Sequence, residues 1–146
     1  MADWTNPVYD RTQADVDYAK EQLIKGINGR EYKGAFNVSD VIRIEGNARY
    51  LADRLFALYY VNNISTKHNW GTSSIPRTEH ISRIIGNVGI LQKAFYTPTG
   101  SVTLPTTLTH YEHTNAIEKN LNLLKLMIDD MESSFRECGT FECMEE

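Results

Sequence analysis

Residues 41–58 read VIRIEGNARYLADRLFAL, the clearest structural signal in the chain. Apolar residues recur in it at positions 41, 44, 48, 51, 55 and 58, with alternating spacings of three and four. Side chains at these spacings share one face of an α-helix, so the stretch predicts an amphipathic helix with a continuous apolar seam. Asn47 lies on or beside that seam, where a polar amide is unusual.

The same pattern occurs three times along the chain. Each copy has a branched aliphatic residue, an asparagine three residues later and a leucine four beyond that: Ile44, Asn47 and Leu51; Ile84, Asn87 and Leu91; Ile117, Asn120 and Leu124. The first two copies also share an arginine before the isoleucine and a glycine before the asparagine. The offsets between copies fit a helix plus a connection, which predicts an internal repeat built from a helical hairpin element.

Helix-start signals agree with these seams. Capping residues place three helix starts near residues 39, 77 and 110. An earlier helix is predicted from about 13 to 27, because Thr12 and Asp15 have the spacing of a capping box. Gly139 is expected to end the last helix, with a flexible tail from about residue 139. We therefore predict one all-α domain over residues 1–146, a bundle of about four helices, three of them related by the repeat.

The three seam asparagines carry a prediction of their own. A buried amide without partners destabilises a fold by about 1 to 3 kcal/mol, so each should be hydrogen-bonded. The partners would be a sister asparagine or the backbone of a loop. A polar group in an apolar seam commonly fixes helix register, which we favour over a ligand-binding role for Asn47, Asn87 and Asn120.

Composition narrows the function classes. The chain has 146 residues, 41% hydrophobic and 23% charged, as expected for one soluble globular domain. Its net charge of -4 lacks the basic footprint of a nucleic-acid-binding protein, and no apolar run could span a membrane. The opening residues lack a secretory signal, so a cytoplasmic location is expected. Cys138 and Cys143 form an isolated C-x4-C pair, too few ligands for a structural zinc site.

Two stretches resemble a known group of proteins. Residues 4–7 read WTNP and residues 36–51 read FNVSDVIRIEGNARYL. They resemble small proteins of phages and prophages of Gram-positive bacteria, whose pattern is W-T-x-P followed by F-N-x-[ST]-D-x-x-R-I-x-x-N-x-x-Y-L. The resemblance implies a structural or adaptor role in a tail or baseplate, with association with the virion and other virion components as protein partners. It implies no catalytic residue and no cofactor.

The sequence contains one candidate pair of metal ligands and no motif typical of a catalytic site. His110 and His113 are three residues apart with Glu112 between them, a spacing that two metal ligands can have. In the repeat alignment, His113 corresponds to His80 and Asp40, which indicates a polar first-turn position on each helix. The chain also lacks a glycine elbow around a serine and a phosphate-binding glycine loop. We predict no catalytic, cofactor or metal residue, and a small metal-dependent enzyme is the least favoured alternative.

Five aromatic residues near helix ends supply the stronger alternative. Amphipathic aromatics at such places often contact proteins or carbohydrates, so a binding module is the second prediction. Packing at the ends of the bundle is the competing interpretation. The residues are Tyr59, Tyr60, Trp70, Tyr96 and Tyr111.

Charge is distributed unevenly along the chain. Residues 109–146 hold nine acidic and three basic side chains, a net charge of -6, whereas residues 37–108 have a net charge of +3. Opposite charges can steer two copies together, and long apolar seams support homo-oligomers. We therefore expect that self-association would weaken as salt rises from low to physiological levels.

Overall fold

The computed structural model describes residues 3–27, 29–67, 69–71 and 76–145, with side chains described as far as Ser134. Within these ranges the chain forms four α-helices and no β-strand, which confirms the all-α prediction. The helices are α1 (Gln13–Ile24), α2 (Val38–Ala57), α3 (Thr78–Ala94) and α4 (Tyr111–Glu145).

Each helix begins within one residue of its predicted start, and local capping explains why. At α1, the Asp15 amide donates to Thr12 Oγ1 at 3.3 Å while the Thr12 amide donates to Asp15 Oδ2 at 2.9 Å. At α2, the Asn37 amide donates to Asp40 Oδ2 at 2.8 Å. These bonds satisfy amide groups that a helix start leaves without backbone partners.

Two helix ends differ from the prediction. The first helix stops at Ile24 rather than near residue 27, because Gly26 adopts a φ of 76°, a left-handed conformation that terminates a helix. The last helix continues through Gly139 to Glu145, past its predicted end. A glycine within a helix is less favourable than alanine by about 1 kcal/mol but keeps both backbone hydrogen-bonding groups, so it does not by itself end a helix.

The helices α2, α3 and α4 are mutually parallel. On α2 and α4, Arg43 pairs with Glu118 and, further along both helices, Arg54 pairs with Asp129. On α2 and α3, Glu45 pairs with Arg83 near the start of α3. The ring of Tyr60, just after α2, lies 5.0 Å from the ring of Phe95 at the end of α3. The expectation of helical hairpin elements is therefore wrong, since antiparallel helices would pair early residues with late ones.

Segments without helix or strand run beside the parallel helices: one precedes α1, and the other two follow α2 and α3, the last with a turn at residues 98–101. We call them strap 1 (residues 3–11), strap 2 (residues 60–67) and strap 3 (residues 96–104). Strap 2 runs opposite to α3, because Tyr60 lies beside Phe95 while Ser65 bonds to Asn87 eight residues earlier on the helix. The bundle thus consists of three parallel helices with straps between them.

The apolar seams form the core. All six aliphatic residues of the repeated pattern are at most 3% exposed. The three seam asparagines are equally buried, at 0 to 3% exposure. The core therefore lies along the axis between α2, α3 and α4, with a polar layer at the height of the asparagines. The aliphatic residues are Ile44, Leu51, Ile84, Leu91, Ile117 and Leu124.

The helix α1 lies outside this bundle. It contributes one buried residue, Ala19, while Tyr18 and Ile24 are 57% and 86% exposed. The backbone of Gly34 lies against α1 so closely that an added Cβ would be 2.1 Å from the Asp15 carbonyl oxygen. Only glycine fits this approach, which positions α1 over the connection to α2.

Candidate functional site

Each seam asparagine binds one residue of a strap through two hydrogen bonds. Asn47 accepts from the Thr5 amide at 2.9 Å and donates to the Thr5 carbonyl at 2.8 Å. Asn120 does the same with Val102, at 2.8 and 2.7 Å. Asn87 does so with Ser65, at 3.4 and 2.7 Å. We call these contacts the asparagine clamps. They realise the second of the two predicted arrangements, bonding to loop backbone.

The clamps hold main chain rather than side chain. An asparagine side chain offers one acceptor and one donor in a plane, which matches the amide and carbonyl of one extended residue. Asn115 on α4 makes a fourth contact of this kind with Arg11, at 3.3 and 3.0 Å. Each clamp therefore satisfies the backbone of a strap that has no sheet partner.

A buried glutamate on α4 joins that helix to strap 1 and α2. Glu118 is 0% exposed and accepts from the Val8 amide at 3.2 Å. It also accepts from Arg11 at 3.0 Å and from Arg43 Nε at 2.6 Å. We call this contact the Glu118 joint. Asp40 extends it, since Arg11 and Arg43 both donate to Asp40 Oδ1, at 2.9 and 2.6 Å.

The charges of the Glu118 joint balance. Two arginines face two carboxylates, and in the described part of the chain every buried side-chain polar atom has a hydrogen-bond partner. Burial alone would lower the pKa of Arg43, but hydrogen bonds and attraction from Glu118 and Asp40 raise it above its ordinary value. The arginine therefore stays charged inside the fold.

A second buried glutamate joins α2 to strap 2 and α3 in the same way. Glu45 is 3% exposed and accepts from the Lys67 amide at 3.2 Å. It also accepts from the Trp70 indole and from Arg83, whose Nη2 lies 3.1 Å from Glu45 Oε2. We call this contact the Glu45 joint. Glu45 and Glu118 each directly follow a seam isoleucine, and Arg43 and Arg83 each directly precede one.

The corresponding positions on α3 and α4 are apolar. Ile85 occupies the glutamate position and Ala116 the arginine position, and each is 8% exposed. Strap 3 lies nearby, since Leu104 is beside Gly89, about one helical turn after Ile85, and Val102 lines a shallow cleft together with Ala116. We call these positions the apolar joint.

The polar first-turn positions serve as helix caps. Asp40 accepts from the Asn37 amide, His80 Nδ1 from the Arg77 amide at 3.0 Å, and His113 Nδ1 from the Thr109 amide at 3.2 Å. The rings of His110 and His113 lie 6.0 Å apart. Among the described residues no group of three or more histidine, cysteine, aspartate or glutamate side chains could hold a metal ion.

The five aromatic candidates do not form one site. Trp70 is 8% exposed and its indole is bonded to Glu45, so it packs near the N-terminal ends of α2 and α3. Tyr111 lies at the start of α4. The other three are near the C-terminal ends of α2 and α3, where Tyr60 and Tyr96 have ring centroids 6.5 Å apart and Tyr59 is 93% exposed.

A cleft of about 340 Å³ separates α1 from the start of α4. Its lining includes Phe36, Tyr111, His110, Lys20 and Arg11. The Arg11 guanidinium is already bound within the Glu118 joint. The cleft is therefore lined by aromatic and exposed polar groups, but its buried charged group, Arg11, is already paired with Asp40 and Glu118 of the same chain.

The sequence interpretation missed the residues that close the joints. Glu45 and Glu118 carried a usable signal, since each is a charged residue directly after a seam isoleucine. Arg11 and Asn115 carried none, because they bond to each other across 104 residues and Arg11 bonds to Glu118 across 107.

Comparisons with protein-family models, curated protein sequences and solved structures give no match. In the part of the chain that the structure describes, no helix is both long and apolar enough to cross a membrane.

Proposed function

We propose that this chain is a non-catalytic structural or adaptor protein of a phage or prophage virion, acting in a tail or baseplate. It would be made in the cytoplasm and then join other virion proteins. The observation that carries the proposal is how the residues of the phage-like pattern are used: they hold strap 1 against the bundle.

The pattern residues contact one another across the fold. Trp4 lies with its ring centroid 5.6 Å from that of Tyr50, and Thr5 is held by the Asn47 clamp. Asp40 caps α2 and accepts from Arg43. A pattern made of packing and capping residues is what relatives that share an architecture, rather than a reaction, would retain.

The buried charges support an architectural role. A catalytic carboxylate needs a free position for substrate or for the proton that it transfers. Asp40, Glu45 and Glu118 are instead paired with arginines and backbone amides of the same chain. The hydrogen bonds of these carboxylates therefore join the helices to one another.

The test is to follow the chain into particles. Particles induced from the source strain would be separated on a density gradient, probed with an antiserum against this chain and labelled with immunogold. We expect the chain to co-sediment with intact particles and the label to lie at one end of the tail. A chain found only at the top of the gradient, in cells that release intact particles, contradicts the proposal. A control antiserum against a cytoplasmic enzyme should label no particle.

A binding module is the second candidate, favoured by the exposure of Tyr59 and Tyr96. Tyr59 is 93% exposed and Tyr96 is 56% exposed. Exposed aromatics are common in protein interfaces. Carbohydrate binding would give saturable shifts of the tyrosine signals on titration with oligosaccharides, whereas a structural protein would give none.

A further inference from the structure

Four exposed apolar residues surround one end of the bundle. They lie in the last turn of α2 or directly after α2 and α3. Because these two helices are parallel, their C-terminal ends lie at the same end of the bundle. Tyr60 and Phe95 connect them, since the Phe95 ring lies 5.0 Å from that of Tyr60 and 4.9 Å from that of Tyr96. We call the set the aromatic collar: Phe56, Tyr59, Val61 and Tyr96, which are 65%, 93%, 75% and 56% exposed.

Tyr59 occupies a backbone position that suits glycine. Its φ is 70°, and it is the only non-glycine residue with a positive φ in the described part of the chain. The Tyr60 amide donates to the Leu55 carbonyl at 2.8 Å and the Tyr59 amide to the Phe56 carbonyl at 3.0 Å. These two bonds form a Schellman motif, whose left-handed residue is usually glycine. A tyrosine here is strained, and at 93% exposure its ring gains almost no packing within the chain. Such a residue suggests a contact outside the chain.

The helix α4 continues beyond this end of the bundle. The Tyr60 hydroxyl donates to Met131 Sδ at 3.8 Å, so Met131 is level with the ends of α2 and α3. From Met131 to Glu145 the helix rises by about 20 Å. An isolated helical stretch of this length is marginal in water and gains stability from packing beside another helix. The apolar spacing of the seam continues in the sequence through Phe135 and Cys138.

Charge identifies a fitting partner. After Glu132, which pairs with Arg54 of the same chain, residues 133–146 hold four acidic and one basic side chain. Lys93 in the last turn of α3 is exposed beside the collar. The acidic end of α4 from one copy therefore complements the collar region of another.

We propose that two copies of this chain dimerise tail to tail, with the α4 ends antiparallel and the end of each α4 packed on the aromatic collar of the other copy. A twofold arrangement uses both surfaces twice, which is the property of an isologous interface. This inference rests on the proposed assembly role and adds its first contact, a second copy of the same chain.

The decisive variant is Tyr59→Gly, because strain and binding predict opposite effects. Glycine relieves the left-handed strain, so we expect the melting temperature to rise by about 2 to 5 °C. The same change removes a central aromatic contact, so we expect the dimer dissociation constant to increase about tenfold or more. Sedimentation equilibrium of the full chain under reducing conditions, beside thermal denaturation of a dilute monomeric sample, measures both. Phe56→Ser, a helix-surface change, should weaken the dimer as well.

The matched control is Ile24→Ser, which removes an apolar side chain that is 86% exposed at the end of α1 and far from the collar. It should leave the dissociation constant unchanged. A wild-type chain that stays at 16.7 kDa at every concentration overturns the inference. A dimer that both Tyr59→Gly and Phe56→Ser leave intact also overturns it. The same holds if the chain is a monomer and Tyr59→Gly abolishes its binding to particles, because the collar would then bind another virion protein. A monomeric chain found in particles refutes this inference alone, whereas a dimer absent from particles refutes only the virion role.

Discussion

The Glu118 and Glu45 joints differ from the apolar joint although all three occupy corresponding positions on parallel helices. At the first two, a buried carboxylate collects an arginine and a strap amide. At the third, Ile85 and Ala116 are buried without any charge. The asparagine clamps, in contrast, are present beside all three straps. All three helices therefore hold a strap by an asparagine clamp, whereas a buried ion pair links neighbouring helices at two of the three corresponding places.

The largest effect should come from opening the Glu118 joint. Glu118→Ala leaves Arg11 without one partner and Arg43 with only Asp40, inside the fold. Removing one member of a buried ion pair typically lowers stability by about 3 to 5 kcal/mol. We expect a loss of this size in the free energy of unfolding, measured by urea denaturation. Glu79→Ala, at a side chain 73% exposed, is the control and should change stability by less than about 0.5 kcal/mol.

Glu45→Ala tests the Glu45 joint by the same measurement, the free energy of unfolding. The Arg83 side chain is 23% exposed and that of Arg43 is 12% exposed, so Arg83 can hydrate when its partner is removed. We expect a smaller loss than for Glu118→Ala. Equal losses from Glu118→Ala and Glu79→Ala would mean that the joints do not hold the bundle together.

The clamps should show a smaller effect than the Glu118 joint. Replacing Asn120 by alanine leaves the partly buried amide and carbonyl of Val102 without their protein partner, with an expected loss of about 1 to 3 kcal/mol. Asn87→Ala should have the smaller effect of the two, because one of its bonds is 3.4 Å long. Asn122→Ala is the matched control on α4, since its one bond to Tyr9 is 3.5 Å long and exposed. Equal effects at Asn120 and Asn122 in urea denaturation would contradict the clamp interpretation.

The apolar joint can be converted to test whether the three positions are equivalent. Ile85→Glu alone should lower stability by about 2 to 4 kcal/mol, because it buries an unpaired carboxylate. Adding Ala116→Arg supplies the partner that the other joints have. We expect a favourable coupling of about 1 to 2 kcal/mol in a double-mutant cycle. Additive effects of the two substitutions would show that these positions do not face each other as the charged ones do, and would weaken the predicted internal repeat.

Sequence reasoning located the helices but not their direction. An apolar seam specifies which face of a helix is buried, and Ile44 and Leu51 report this equally well whether neighbouring helices run parallel or antiparallel. The connections held the missing information. Between Ala57 and Thr78 lie twenty residues, and between Ala94 and Tyr111 sixteen, whereas antiparallel neighbours are usually joined by two to eight. Connections of this length can run back along a whole helix.

The joints were less accessible to sequence reasoning than the helices. The buried asparagines were identifiable because helix periodicity places them on the seam. Their partners Thr5, Ser65 and Val102 were not, because a clamp binds backbone, which every residue has. Arg11 likewise sits in a segment without periodicity, and its burial depends on carboxylates from two distant helices.

The smallest expected effect concerns an exposed ion pair between the same two helices as the Glu118 joint. Burial alone would raise the pKa of Asp129, but hydrogen bonds from Lys125 and Arg54 outweigh it and hold that pKa below its ordinary value. A carboxylate with a lowered folded-state pKa stabilises the fold above its unfolded pKa of about 3.9, and this stabilisation is lost as the pH falls through the folded value. The Asp129 side chain is 38% exposed, so solvent limits the contribution to about 1 kcal/mol or less. We therefore expect the stability difference between wild type and Asp129→Asn to be largest near neutral pH and to close on acidification, as measured by urea denaturation across that range. A difference that grows on acidification would place the stabilising proton on Asp129 and reverse the assignment of this pair.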